Sequence, residues 1–296
     1  MLEVGREPAV VVECANRLGE SIVWDERQGA LVWANIHDCE VWTWSPASGG
    51  DPRVSRLPGR VGTLGLRQAD GLVLALESGF ALYDPETDAL ERLESVEADL
   101  PTTRLNDGRV DPAGRFLCGG MDEGSPQRHI AGLYALEADH HATQRLADIA
   151  CTNSLCWSPD GRTLYFTDMP TRRIDAFDYD VGSGALGARR AFADLAGEPG
   201  SADGSTVDAE GCLWNAQWGG SKLVRYRPDG SVEREVPLPV SNPTCLAFGG
   251  PDLDILFVTT AWFGLSREQL AQEPLAGALF AFRPGVRGRF ESRYVG

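Results

Sequence analysis

Four short stretches combine carboxylates, amides and glycine in a way that could hold a cation: Leu18-Gly19-Glu20-Ser21, Arg104-Leu105-Asn106-Asp107-Gly108, Thr152-Asn153-Ser154 and Ala202-Asp203-Gly204-Ser205. Glutamate, asparagine and aspartate side chains are hard oxygen donors, and several of them converging make an all-oxygen site with room left for water or substrate. Each stretch taken alone reads equally as a turn, because Asn and Asp before Gly are standard turn residues. The reading as one shared site rests on recurrence, since each lies about 4 to 8 residues before a turn of the same kind. Other catalytic constellations are missing. There is no G-x-S-x-G, no H-E-x-x-H and no G-x-G-x-x-G after a strand, and Gly219-Gly220-Ser221-Lys222 lacks P-loop spacing. Of the four histidines, His140 and His141 fall in a polar loop and His37 carries no motif. His129, just before a strand, is the one that could face a site, although a surface role is the simpler reading. The acidic run DAFDYD (175–180) lacks the glycine and glutamate of an EF-hand and reads as a solvated strand face.

The elements that must position these groups repeat. Six times a tight turn containing Asp or Gly is followed by a short strand rich in branched or aromatic residues: ALVWANI, LVLALES, RFLCGGM, RTLYFTD, CLWNAQW and ILFVTTA. Turn positions 29, 71, 114, 161, 211 and about 254 are separated by 42, 43, 47, 50 and 43 residues. A period of that length with several strands per unit marks a propeller blade. Further alternating strands follow each turn, among them EVWTWSP, GFALYDP and RIDAFDYD. The expected fold is therefore an all-β six-bladed propeller, a single domain over 1–296. AVVVECA (9–15), left over before the first repeat, should join the last blade and close the ring, which removes a free sheet edge. One helix is expected over 266–274, with Ser266 as N-cap and Gln269 completing a capping box. In a propeller the inner strands of all blades converge at the ends of one channel, so residues far apart in sequence can share a site.

Composition narrows the function. The chain is 43% hydrophobic and 24% charged, as expected for a soluble domain with a sizeable core. A net charge of −16 disfavours nucleic acid and anionic membranes as partners. The N-terminal residues lack the basic start and apolar centre of a secretory signal, which suggests a cytoplasmic protein. Seven scattered cysteines without C-x-x-C argue against a disulfide framework or a thiolate zinc site, and read as small apolar fillers.

The stretches LGESIVWD (18–25), RLNDGRVDPAGRF (104–116), TNSLCWSPDGRTLYFTD (152–168), ADGSTVDAEGCLWNAQWGG (202–220) and PTCLAFGGPDLDILFVTTA (243–261) resemble the regucalcin/gluconolactonase-type sugar lactonases. The segment 264–282 looks like the bacterial sugar-acid lactonases of that group. The resemblance spans nearly the whole chain. It implies metal ligation by Glu20, Asn153 and Asp203, with Asp203 also the general base, and sugar-hydroxyl binding by Arg104 and Asn106. It further implies one divalent ion (Ca²⁺, Mg²⁺, Mn²⁺, Zn²⁺ or Fe²⁺), a galactono-, arabino-, xylono- or gluconolactone as substrate, and a monomer or weak dimer. The alternatives are a calcium-binding regulatory propeller without catalysis and a propeller aryl esterase or phosphotriesterase. Two departures stand out: serine at 154 where relatives carry glycine, and alanine at 202 where they carry proline. A strained backbone at Ser154 is the expected consequence if glycine's left-handed geometry is kept there. Some relatives carry an acidic residue near the position of Asp122 or Glu123, whose register is left open.

Overall fold

Each repeat folds into a four-stranded antiparallel sheet in the computed structural model, which describes residues 4–296. The inner strands are Gly19–Asp25, Val61–Leu66, Thr103–Val110, Thr152–Trp157, Ser201–Val207 and Pro243–Gly249, in blades one to six. Each inner strand contacts the next, and the sixth contacts the first, so the six sheets form a closed ring. Strand Ala9–Val12 pairs antiparallel with Leu279–Phe282 as the outermost strand of blade six, with Ala9 opposite Ala281. The ring is thus shut by the two ends of the chain. Among the described residues no helix is long and apolar enough to cross a membrane. The one α-helix among the described residues, Arg267–Gln272, has the expected capping box: Ser266 Oγ accepts from Gln269 N at 3.2 Å, and Ser266 N donates to Gln269 Oε1 at 2.9 Å.

Burial follows distance from the axis. Inner strands are almost wholly buried, whereas outer strands such as Arg53–Arg56 and Ala89–Ser95 are largely exposed. The apolar clusters lie between blades rather than within them: Leu64 and Leu74 of blade two pack with Val32 and Val41 of blade one. No blade buries its own faces, so closure is what completes the core. The blade turns carry glycines at left-handed φ between 61° and 90°, at Gly29, Gly71, Gly114, Gly161 and Gly211. In the sixth turn Gly250 and Leu253 take that role. The acidic run departs from expectation at Asp175, which is fully buried. Arg189 Nε donates to its Oδ2 at 3.0 Å and Arg173 forms an ion pair with its Oδ1 at 2.8 Å, while Asp178 and Asp180 face solvent.

One end of the channel is covered by the last eleven residues. Their backbone bonds Leu66 and Gln68 of blade two, Gly114 of blade three, Ala209 of blade five and Leu253 of blade six. Arg293 pairs with Asp25 of blade one at 2.6 Å, and Arg289 donates to the Pro159 carbonyl of blade four at 3.0 Å. Glu291 reaches inward to Arg109 at 3.4 Å, beside a cavity of about 180 Å³. A site open to substrate therefore belongs at the opposite end, where the inner strands begin.

Candidate functional site

That opposite end is where the polar stretches converge. Glu20, Asn106, Asn153 and Asp203 each stand five residues before the residue that opens the blade turn: Asp25, Asp111, Ser158 and Asp208. Equal spacing from equivalent turns puts them at one depth in the channel, about 17 Å of strand above the turns at ~3.4 Å per residue. Gly62, five residues before Arg67, is the counterpart in blade two and leaves that place without a side chain.

A β-bulge in every inner strand turns these residues inward. In blades one, three, four, five and six, three steps on the inner strand oppose two on its neighbour, as in Glu20–Val23 against Ala34–Val32 and Asn153–Cys156 against Thr167–Tyr165. Blade two has the same extra residue between Val61 and Thr63. Bulges bend a strand and re-aim its side chains. Here they hold the backbone left-handed at Ser21 (φ 54°) and Ser154 (φ 64°), the geometry expected at the second of these. Hydrogen bonds tie bulge to bulge. Ser21 Oγ lies 2.7 Å from Thr63 Oγ1, which donates to the Gly108 carbonyl at 2.9 Å. Asp107 Oδ2 accepts from Leu155 N at 3.1 Å, and Ser154 Oγ donates to the Asp203 carbonyl at 2.6 Å. Asn215 Nδ2 donates to that same carbonyl at 3.0 Å and to Ser154 Oγ at 3.1 Å. Ser21, Thr63, Asp107 and Asn215 are positioning groups to which sequence reading gave no role.

The structure brings four of the five predicted site residues, Arg104, Asn106, Asn153 and Asp203, into a chain of neighbours, and Glu20 stands at the same depth within electrostatic reach of Asp203. Asn106 Nδ2 donates to the Thr152 carbonyl at 2.8 Å, beside Asn153. Arg104 is buried and donates through Nη1 to Asn106 Oδ1 at 2.7 Å. Its Nε donates to Glu123 Oε1 at 3.1 Å, and Arg60 clasps Glu123 through both terminal nitrogens at 2.8 and 2.9 Å. Glu123, whose register the sequence left open, thus joins the site through Arg104. Its neighbour Asp122 does not, being bonded instead by Arg128 Nε at 3.0 Å. His129 pairs with Asp168 at 3.1 Å and is half exposed, in keeping with the surface reading. Five of the seven cysteines are buried, and all are free.

The charges at the axis are unbalanced. Burial raises the Glu20 carboxyl to about 8, with the Asp107 charge adding to the effect. Asp203 is pushed well above the carboxylate range by burial, then by the charges of Glu20 and Asp107. Asn153 completes the picture. With its amide nitrogen toward Asp203 it donates to Oδ1 at 2.9 Å and to the Thr152 carbonyl at 3.1 Å; in the opposite orientation its oxygen meets acceptors only. One buried carboxylate, Asp203, one partly buried, Glu20, and an amide oxygen that can turn toward them suit a hard divalent cation, which would supply the missing positive charge. Among the described residues no three Asp, Glu, His or Cys side chains cluster for a metal; the third oxygen here is an amide.

Comparison with known proteins places the chain in a family. Residues 18–262 match the family described as "SMP-30/Gluconolactonase/LRE-like region". The chain is 39% identical to an L-arabinolactonase of Azospirillum brasilense, over 98% of this chain and 96% of that one. It is 36% identical to a 6-deoxy-6-sulfogluconolactonase of Pseudomonas putida, over 99% and 98%. The crystal structure of a calcium-binding protein, regucalcin, from Agrobacterium tumefaciens superposes with a TM-score of 0.91 at 34% identity, covering 99% of both chains.

Proposed function

The chain belongs to the SMP-30/gluconolactonase/LRE-like family, and from that premise we propose that it is a cytoplasmic sugar lactonase that opens an aldonolactone to the free sugar acid, with one divalent cation held by Glu20, Asn153 and Asp203. The observation that carries this reading is the pairing of that oxygen cluster with a sugar-binding arm. Asn153 and Asp203 face each other across 2.9 Å, and Asn106, held by Arg104 at 2.7 Å, stands directly beside them. Relatives named for arabinolactone and sulfogluconolactone support the substrate class. A bare calcium-binding role needs no arginine–amide pair at the ligands, which favours the enzyme over the regulatory reading.

A cation bound there supplies Lewis-acid polarisation of the lactone carbonyl oxygen, where negative charge develops. Arg104 and Asn106 orient the ring, and the Arg60–Glu123–Arg104 chain fixes Arg104 in turn. Asp203 takes the proton of the attacking water. The water oxygen bonds to the carbonyl carbon, the bond from that carbon to the ring oxygen breaks, and the ring oxygen leaves as a hydroxyl by taking up the proton that Asp203 removed from the water.

The test is a panel of aldonolactones and aryl esters offered to protein stripped by chelator and reloaded with Ca²⁺, Mg²⁺, Mn²⁺, Zn²⁺ or Fe²⁺. Lactone opening should vanish on stripping and return with metal. Asp203→Ala should fold normally yet lose about 10²–10⁴ in kcat, the usual contribution of a positioned general base. Near-normal turnover by that variant removes the base, and turnover indifferent to chelator removes the cation.

A further inference from the structure

The rim of the site holds a cluster that this chemistry leaves unused. Arg17 lies three residues before Glu20, and His37 sits on the 3-10 turn Ile36–Asp38 of the same blade. The Arg17 guanidinium stands 5.7 Å from the ring centres of Trp262 and Phe263, and the His37 ring is 4.3 Å from Phe263. Phe263 N donates to the Arg17 carbonyl at 2.9 Å, which anchors the group. The cluster lies at the end of the channel where the inner strand of blade one begins: Ile36 N, beside His37, donates to the carbonyl of Leu18, beside Arg17, at 2.9 Å, and Leu18 bridges Ala261, next to Trp262.

Two features mark it as built for a ligand. Arg17 Nε and His37 Nε2 are buried without a hydrogen-bond partner, and Phe263 is a large apolar side chain left 39% exposed. Charge is the second. Arg60 and Arg104 are matched by Glu77 and Glu123, whereas Arg17 takes part in no ion pair among the described residues. An unmatched guanidinium, stacked on two aromatic faces, therefore stands at the mouth of a protein with net charge −16.

We propose that Arg17, backed by Trp262 and Phe263 and flanked by His37, is the subsite for the exocyclic arm of the lactone, and that it favours an arm ending in an anionic group over a neutral hydroxymethyl. The proposal rests on the lactonase reading and adds the part of the substrate farthest from the carbonyl. The two aromatic faces restrain the guanidinium, so ordering it costs little entropy, and a carboxylate or sulfonate can meet it with charge-assisted hydrogen bonds.

The experiment measures kcat/KM on three lactones: an unsubstituted ring, one with a hydroxymethyl arm, and one whose arm ends in a carboxylate or sulfonate. Arg17→Met should lose about 10- to 100-fold on the anionic arm, the range of one charge-assisted hydrogen bond, and change little on the unsubstituted ring. Arg17→Lys should retain part of the preference, and added salt should shrink it. His37→Phe keeps the stack on Phe263 without the nitrogens and should lose less than Arg17→Met; wild-type kinetics on the anionic arm would strike His37 from the subsite. Equal losses on all three lactones, or none, overturn the proposal while leaving the lactonase reading intact. A wild-type protein that opens none of them overturns both.

Discussion

Ser154 offers a test of how the site is held, because the backbone and the side chain at that position pull in opposite directions. Its φ of 64° is a left-handed geometry that costs a residue with a Cβ about 1–2 kcal/mol. Its hydroxyl is fully buried, donates to the Asp203 carbonyl at 2.6 Å and accepts from Ser205 Oγ and Asn215 Nδ2, both at 3.1 Å. Removing the hydroxyl should cost about 1–3 kcal/mol, since Ser205 Oγ loses its acceptor inside the core while Asn215 keeps others. Ser154→Ala bears that full loss and keeps the strain. Ser154→Gly bears the same loss and the extra freedom of an unfolded glycine, about 0.5–1 kcal/mol, but sheds the strain. Glycine should therefore be the less damaging change, by about 0.5–1 kcal/mol, reversing the usual order of alanine over glycine in a strand. Urea unfolding of the metal-free protein, followed by tryptophan fluorescence, gives both midpoints, with unchanged slopes confirming that stability alone has moved. An alanine variant as stable as the glycine variant would refute the argument that the bulge at Ser154 is strained.

Glu20→Gln removes one of two axial carboxylates; calorimetry should show cation affinity weakened at least about tenfold, as expected when a charged ligand becomes neutral, and unchanged affinity would remove Glu20 from the ligand set. Glu291→Gln removes the negative charge that faces Arg109 at 3.4 Å, while the Thr206 hydroxyl stays bonded to Arg109 at 3.1 Å; the variant should be destabilised by about 1 kcal/mol, the upper end for an ion pair that is only partly buried, with kcat/KM unaffected at the far end of the channel. His37 titrates at about 4 when folded and near its ordinary value of 6.5 when unfolded, so the unfolded chain gains a proton first and stability falls as pH drops from about 6.5 to 4. His37→Phe should flatten the melting temperature over that window, and a slope identical to wild type would show that His37 is not held neutral.

The fold could be read from the chain because each blade must reverse direction at the same depth. That requirement leaves glycine or Asp-Gly at regular intervals, and the glycines at 29, 71, 114, 161 and 211 do adopt left-handed φ. What could not be read depends on partners remote in sequence. Asp175 looks solvated in an acidic run, yet its burial is decided by Arg189 on the next strand. Glu123 lies in a loop without pattern and gains its place from Arg104, 19 residues before it, and Arg60, 63 before it. The last eleven residues show no strand periodicity because their backbone bonds four blades in passing, and the Arg293 and Arg289 side chains reach the other two, rather than pairing along any single strand.

The bulges explain why the site residues were visible while their support was not. An extra residue in a strand leaves no mark in composition, but it decides which way every later side chain points, since a one-residue slip exchanges the two faces of a sheet. Counting from the turn, Glu20, Asn106, Asn153 and Asp203 occupy one position; counting from the strand pairing, Glu20 and Asn153 begin their bulges, whereas Asn106 and Asp203 fall inside theirs. The two arrangements bring a side chain to the axis from different backbone geometries. That difference accounts for the left-handed serine after Glu20 and after Asn153, and for its absence after Asp203, where Gly204 meets blade six closely instead, a Cβ there falling 2.8 Å from the Thr244 carbonyl. Alanine at 202 in place of proline is tolerated on the same grounds, because the position of Asp203 is fixed by the bonds that Ser154 and Asn215 make to its own carbonyl.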